Sequence, residues 1–253
     1  MARDRYLYNA GEETIHSGDV SAAPQTPKSK WQNFWYYHKF HVLAVFLLFA
    51  AVFGFAYELL TKEEPDYQIA VLTQTQPSET LLTELEGRIA AYGEDLNGDG
   101  KVLVRINSYV ITVEDGAEVA DPSLQMTSVA RFLSDLELGD SIIYLTDDAS
   151  FRVNQEQRQL FSNLDGTPAP KTGWQDSELR VPFSECQVLS QLLPTEPLGM
   201  LDEAGMKKAT DQLQQLSLSL RMFQGTALEE QEGKLAYYEA SRKLFNKLVY
   251  DID

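Results

Sequence analysis

The chain has 253 residues, a formal net charge of −17 and a single cysteine, Cys186. This acidity argues against nucleic acid as a partner and against docking on anionic lipid, because like charges repel. One cysteine excludes an intramolecular disulfide, so the chain must be held by a packed core rather than by cross-links.

The first strong pattern is an apolar run from Val42 to Ala56, bordered by Lys39 and Glu58. A helix between those two charges spans about 27 Å at 1.5 Å per residue, close to the roughly 30 Å of a bilayer core. The run predicts a transmembrane helix that contacts the membrane through residues 40–60. Aromatic side chains typical of a membrane interface precede it: Trp31, Phe34, Trp35, Tyr36 and Tyr37.

The charges on the two sides of the run differ. Three bases, Lys28, Lys30 and Lys39, precede it, and mainly acidic residues follow it. The positive-inside rule therefore predicts a single-pass protein of the cell membrane, with a cytoplasmic N-terminus and the C-terminal domain outside. A cleaved signal peptide is the alternative, because the chain around Ala56 matches a small-x-small cleavage site. Against cleavage, the 41-residue leader before the run is longer than that of usual signal peptides.

Composition divides the chain into three parts. Residues 1–30 are rich in small and charged side chains without apolar periodicity, which predicts a disordered cytoplasmic tail. Residues 31–60 form the aromatic juxtamembrane segment and the transmembrane helix. Residues 65–253 are long enough for one extracytoplasmic domain with its own core.

Short apolar strands alternate with amphipathic helices at the start of this domain. Strands are predicted at Gln68–Thr73, Val102–Ile106 and Ser141–Leu145. Ser78 is the predicted N-cap of a helix after the first strand, and Pro122 opens a helix after the second. Continuous apolar strands joined by helices indicate an α/β fold, here a three-layer domain with a mostly parallel sheet and the first strand central.

The remaining pattern is less regular. Asn154–Leu164 is predicted to be helical, and the proline-rich residues 165–200 are predicted to be mainly loop. Gln215–Phe223 alternates between apolar and polar side chains, which predicts an antiparallel strand at an edge of the sheet. A closing helix is predicted at residues 227–250. The helix that begins at Pro122 is expected to bury Met126, Val129, Ala130, Leu133 and Leu136.

Two stretches resemble known families. WQNFWYYHKFH, before the apolar run, is similar to a segment in uncharacterised single-pass membrane proteins of Gram-positive bacteria. The order QIAVLT, helix, KVLVRINSY, helix, LELGDSIIYLTDD resembles the first lobe of bacterial extracellular solute-binding proteins, over roughly residues 67–148. This resemblance implies a solute-binding α/β lobe. The chain departs from that family because it is too short for two full lobes.

The domain after the apolar run contains no histidine, because His16, His38 and His41 all precede the run. This excludes Ser-His and Cys-His catalysis and His-ligated zinc from the domain. A cell-surface hydrolase that uses a carboxylate pair stays open as an alternative, since acidic residues are abundant. No pair is singled out by the sequence, so a non-catalytic domain is predicted.

One motif suggests calcium. Asp95, Asn97 and Asp99 place oxygens at alternate positions, and Gly100 follows them, as in the first half of a calcium-binding loop. Position 12 of that loop should be glutamate and is Ile106, so the bidentate ligand is missing. The motif predicts at most a weak calcium site, and the alternative is a connection rich in Asx turns.

Polar residues follow or end the predicted parallel strands, where ligands bind in sheets of this type. The predicted function is therefore binding of a small solute or of another envelope protein, and ordinary loop polarity is the alternative. The candidate ligand-binding residues are Thr73, Gln74, Thr75, Asn107, Tyr109, Asp147 and Asp148.

Overall fold

The computed structural model describes residues 26–61, 63–113, 121–199 and 201–252. These residues belong to two separate compact units, one up to Glu63 and one from Glu64 onward. Most of the predicted disordered tail, residues 1–25, lies outside the described residues. Residues 27–30, the end of that predicted tail, belong to the first helix.

The first unit is helix α1, Pro27–Thr61. Proline suits the first helical position because the N–H that it lacks would have no partner there. Within α1, the 24-residue segment Phe34–Tyr57 is long and apolar enough to cross a membrane. A signal sequence near the N-terminus would meet the same criterion. Aromatic rings stack around the start of this apolar segment, with the Trp31 and Trp35 centroids 6.1 Å apart.

The second unit is a mixed α/β domain built on one five-stranded sheet. Its strands are β1 Tyr67–Thr73, β2 Val104–Val110, β3 Ser141–Thr146, β4 Arg180–Pro182 and β5 Ser217–Leu220. Its helices are α2 Glu79–Ala90, α3 Pro122–Leu138, α4 Asp148–Arg158, α5 Asp176–Leu179, α6 Glu203–Gln214 and α7 Lys234–Tyr250. Three short 3₁₀ turns complete the described elements: Phe183–Glu185, Leu189–Leu192 and Ala227–Glu230.

The strand order is β2-β1-β3-β5-β4. β1 is parallel to both β2 and β3, which confirms the predicted parallel core with the first strand between the other two. β5 is antiparallel to β3, as predicted. Its predicted edge position is wrong, because β4 pairs with the other side of β5, Val181 opposite Leu218. β4 ends at Pro182, and proline is tolerated in an edge strand. With only three residues, β4 is too short to show the apolar pattern that predicts a strand.

Both faces of β1 are buried, which explains its continuous apolar sequence. Ile69 and Val71 belong to one buried cluster, which also contains α2 and α7 side chains such as Leu85 and Phe245. Ala70 and Leu72 belong to a second cluster, whose aromatic members are Tyr109, Phe132, Tyr144, Phe151 and Phe161. Each fully buried large apolar side chain contributes about 1.5–3 kcal/mol to folding.

Helix α3 starts as predicted but turns a different face inward. Asp121 caps it by accepting the N–H groups of Ser123 and Leu124. Its buried residues are Ser128, Phe132 and Asp135. The predicted face is wrong: Met126 and Leu133 are 75% and 48% exposed.

The buried polar residues of α3 have partners on β2 and β3. The Ser128 hydroxyl accepts the N–H of Val110 at 3.2 Å. The Asp135 carboxylate accepts the Tyr109 hydroxyl at 2.7 Å and the Ser141 N–H at 2.9 Å. A buried polar group destabilises the folded state when it has no hydrogen-bond partner, so these bonds offset the cost of burying Ser128 and Asp135. The apolar pattern of the sequence did not predict this burial.

Helices α4, α6 and α7 also differ from the sequence-based expectation. The predicted start of the closing helix at residue 227 is wrong, because a 3₁₀ turn occupies Ala227–Glu230 and α7 begins at Lys234. α4 begins at Asp148, six positions before the predicted start at Asn154, because Asp147 caps it by accepting the Ser150 N–H at 2.8 Å. It ends before Gln159, whose φ of 51° is left-handed. No helix was predicted at α6, although Asp202 caps it and its apolar side chains recur at helical spacing.

Candidate functional site

Three of the predicted ligand-binding residues lie where β1 and β3 end: Thr73 is the last residue of β1, Gln74 follows it, and Asp147 follows β3. One oxygen of Asp147 accepts the Gln74 N–H at 2.7 Å and the other caps α4. The hydroxyl of Thr73 is buried and donates to the carbonyl of Thr75 at 2.9 Å. The polar side chains of Thr73 and Asp147 therefore stabilise these two strand ends, and a ligand role for Thr73, Gln74 and Asp147 stays a prediction.

The two predicted residues on β2 lie within that strand, which runs to Val110. The Asn107 amide donates to the Gln68 side chain at 2.8 Å. The Tyr109 hydroxyl is bonded to Asp135, and burial together with this nearby carboxylate raises the pKa of Tyr109 well above its usual value. Both polar groups thus have internal partners, and their role in ligand binding also stays a prediction.

A groove in the α/β domain contains another predicted residue, Asp148. It has a volume of about 760 Å³ and lies where β3 ends beside the antiparallel strands, since Thr146 pairs with Ser217 and Ser217 pairs with Pro182. We call it the Arg180 groove. Its polar lining includes Asp148, Asp176, Arg180, Glu185, Gln215 and Tyr250.

Arg180 is the best-fixed charge in this groove. Its guanidinium donates to Asp148 at 2.6 Å and to Asp176, and it lies 4.3 Å from the centroid of the Phe151 ring. Its side chain is only 12% exposed. The backbone places it, because Arg180 is the C-cap that follows α5 and its N–H donates to the carbonyl of Asp176, four residues earlier.

The arginine controls the ionisation of its partner. Hydrogen bonding to Arg180, with a smaller contribution from Arg152, lowers the pKa of Asp148. The carboxylate therefore stays charged near neutral pH, and the arginine charge is compensated by two acids. Glu185 adds a third carboxylate to the lining. Among the residues that the structure describes, Glu185 forms no ion pair.

The groove is acidic and amphipathic. Three carboxylates and one guanidinium give its lining a net charge of −2. Side-chain amides and the Tyr250 ring supply neutral polar contacts, and Leu164, Val181 and Val249 supply apolar ones. This combination suits a ligand that carries a positive group or several donors beside some apolar surface.

A second groove, of about 620 Å³, contains the predicted residue Thr75. We call it the Lys207 groove, because Lys207 and Lys208 of α6 line it. The Gln212 amide donates to the Thr75 hydroxyl at 3.0 Å, which fixes α6 beside the end of β1. Gln215, just after α6, lines both grooves.

The predicted calcium residues lie in the connection between α2 and β2. The two Asp95 oxygens accept the N–H groups of Gly98 at 2.7 Å and Gly100 at 2.8 Å. Asn97 and Asp99 each accept a backbone N–H two residues later, which is the Asx-turn alternative. In the part of the chain that the structure describes, no group of three or more His, Cys, Asp or Glu residues could hold a metal ion. Calcium binding stays a prediction.

A buried carboxylate holds the same connection against the sheet. Asp66 accepts three backbone N–H groups, from Leu96 at 2.7 Å, Asn97 at 3.1 Å and Leu103 at 2.8 Å. Asp66 precedes β1 directly, so these bonds join the start of β1 to the whole turn before β2. The connection is thus ordered by its own side chains.

Several residues of the two grooves were not predicted, namely Asp176, Arg180, Glu185 and the two lysines of α6. The Asp176–Arg180 spacing of four residues is the one sequence signal for this pair, and it is common on helices. No protein-family model, no curated protein and no solved structure matches the chain.

Proposed function

We propose that the chain is a membrane-anchored, non-catalytic binding protein whose α/β domain takes a polar solute with a positively charged group in the Arg180 groove. The observation that carries this proposal is an acidic groove of about 760 Å³, a size typical of small-molecule sites. It adjoins the carboxyl end of β3, the region where α/β sheets bind ligands.

Membrane anchoring is supported by α1. Its apolar segment Phe34–Tyr57 can cross a bilayer, Lys28 and Lys30 precede that segment, and Lys39 lies in its first third. We propose that the N-terminal end of α1 is cytoplasmic and that the α/β domain lies outside the cell. The resemblance to single-pass proteins of Gram-positive bacteria agrees with this arrangement.

We also propose that helices cover both faces of the sheet in three layers. The support is that β1 contributes to two buried clusters, with Ile69 and Val71 in one and Ala70 and Leu72 in the other. This arrangement is in keeping with the resemblance to the first lobe of solute-binding proteins. A concave groove also favours a small solute over another envelope protein, whose binding surface would be larger and flatter.

A hydrolase is the second candidate, because Asp148 and Asp176 share the Arg180 guanidinium and so lie close together. A carboxylate pair of this kind needs one member with a raised pKa to act as general acid. The pKa of Asp148 is lowered instead. Asp148 therefore does not suit the role of general acid, and binding without catalysis is the function that we propose.

A ligand screen by thermal unfolding tests the binding proposal. Full-length protein in lipid nanodiscs is heated with ammonium solutes, sugars and short peptides. A ligand at 100 times its dissociation constant adds about 2.7 kcal/mol, which raises the melting temperature by roughly 5–10 °C for a domain of this size. The double variant Asp176→Asn, Glu185→Gln should lose the shift, and the exposed Glu196→Gln should keep it. A screen without any shift, or a shift that the double variant keeps, would overturn the proposal.

Protease treatment of intact cells tests the orientation. External protease should remove the α/β domain and leave α1 in the membrane fraction. A domain that is degraded only after the cells are lysed would show the opposite orientation. A soluble secreted fragment that begins near Tyr57 would show that α1 is a cleaved signal.

A further inference from the structure

We infer that the Arg180 groove and the Lys207 groove form one binding surface for a short zwitterionic peptide. Its ammonium group lies in the acidic groove and its carboxylate lies over Lys207 and Lys208. The inference rests on the proposed function and names the ligand class of the same site.

The linings of the two grooves meet at the C-terminal end of α6. Lys207, Lys208 and Gln212 of α6 face the Lys207 groove, whereas Gln214 at the end of the same helix faces the Arg180 groove. Gln215 belongs to both linings. A ligand that leaves the acidic groove along α6 therefore reaches the two lysines.

The charges of the two grooves are opposite. The Arg180 groove has a net charge of −2, while two lysines and Asp211 give the Lys207 groove a net charge of +1. Both lysines are exposed and form no ion pair with the described residues. In a chain of net charge −17, a positive groove beside an acidic one is a local reversal of sign. Such a pair of potentials orients a dipolar ligand.

The length of α6 sets the size of the ligand. From Lys207 to Gln215 the chain rises by about 12 Å at 1.5 Å per residue. An extended peptide covers roughly 3.3 Å per residue, so it needs at least about four residues to reach from Lys207 to Gln215, the residue that both linings share. A free amino acid is too short to contact both. Gln214 and Gln215 line the acidic groove, and their side-chain amides can pair with the peptide backbone.

Titration calorimetry with end-blocked peptides tests this inference. The probe is tetra-alanine with both termini free, added to full-length protein in nanodiscs. Removal of one exposed ion pair is worth up to about 1 kcal/mol, or about fivefold in the dissociation constant. N-acetylation and C-terminal amidation should therefore each weaken binding about fivefold, and free alanine should bind far more weakly. These comparisons change only the ligand, so they do not depend on the folding of a variant.

Protein variants assign each end of the peptide to a groove. Lys207→Gln with Lys208→Gln should weaken tetra-alanine about fivefold and leave its C-terminal amide unaffected. Glu185→Gln should weaken the free peptide and not the N-acetylated one. Lys171→Gln, an exposed lysine outside both grooves, is the matched control and should change nothing.

The outcomes separate this inference from the proposed function. If the amide binds as tightly as the free peptide, or the lysine variant binds tetra-alanine normally, the two-groove site is wrong while a ligand of the Arg180 groove can still exist. If only a polyamine or another cation binds, in a manner that depends on Asp176 and Glu185, the peptide inference fails and the proposed function stands. If no solute of either experiment binds, both are overturned.

Discussion

Replacement of Arg180 by methionine removes the single cation of the Arg180 groove and keeps a long side chain. The change eliminates a cation–π contact with Phe151, worth about 0.5–2 kcal/mol. It also eliminates ion pairs with Asp148 and Asp176, each worth about 0.2–1 kcal/mol because these carboxylates are well hydrated. We expect a loss of about 2 kcal/mol in the free energy of unfolding, and hence a fall of roughly 4–8 °C in melting temperature.

Calorimetry of full-length protein in nanodiscs measures this loss. Arg152→Met is the matched control, because Arg152 pairs with the same Asp148 at 3.0 Å but is 55% exposed. It should cost less than about 0.5 kcal/mol. Arg180→Lys keeps the charge and loses the planar stack, so its melting temperature should lie between those of the wild type and Arg180→Met.

The pH dependence gives a second test of the same contact. The folded-state pKa of Asp148 is lowered, so its contribution is fully present above the unfolded pKa, about 3.9, and is lost as the pH falls through the folded value. The difference in melting temperature between wild type and Arg180→Met should therefore shrink below about pH 4. Equal melting temperatures at pH 7, or a difference that is unchanged from pH 7 to pH 3, would refute the reasoning.

Three further predictions concern other parts of the domain. Asp66→Ala leaves three backbone N–H groups without their charged acceptor and should cost about 3 kcal/mol in urea unfolding; a loss below about 1 kcal/mol would contradict the buried role of this carboxylate. Calcium at 5–10 mM, about ten times the dissociation constant of a weak extracellular site, should raise the melting temperature, and equal magnesium should do less. Asp95→Ala with Asp99→Ala should abolish the calcium effect, and absence of any effect in the wild type would leave the loop as an Asx-turn connection. Burial raises the pKa of Cys186 to about 12, so at pH 8 its protonated thiol should react with a thiol reagent only after unfolding, and rapid labelling of native protein would contradict its burial.

The parallel core was predictable because its signals are local. β1 and β3 are short apolar runs, and β2 begins within the apolar run Val102–Ile106. Asp121 and Pro122 mark the start of α3 by capping chemistry alone. The same signals existed at α6, where Asp202 precedes residues that are apolar at helical spacing. That helix was missed although its pattern could have revealed it.

The groove was not predictable from the sequence, because it joins distant segments. Asp148, Arg180, Ser217 and Tyr250 line one surface only after β4 and β5 pair beside β3. The buried face of α3 was also not predictable, because an aspartate in a helix is normally expected to be exposed to solvent. Only the folded structure shows that Asp135 accepts hydrogen bonds from Tyr109 and Ser141. Tertiary pairing of polar groups overrides the apolar pattern at such positions.

Carboxylate footprinting tests the central claim, that the ligand occupies the Arg180 groove, most directly. Full-length protein is labelled at exposed carboxyl groups by carbodiimide and an amine, with and without the solute that raises its melting temperature most, and the labelled residues are identified by mass spectrometry. We predict protection of Asp176 and Glu185 by the solute, with Glu196, which lies outside the groove, labelled equally in both samples. Equal labelling of Asp176 and Glu185 in both samples, with protection confined to other carboxylates, would contradict the account.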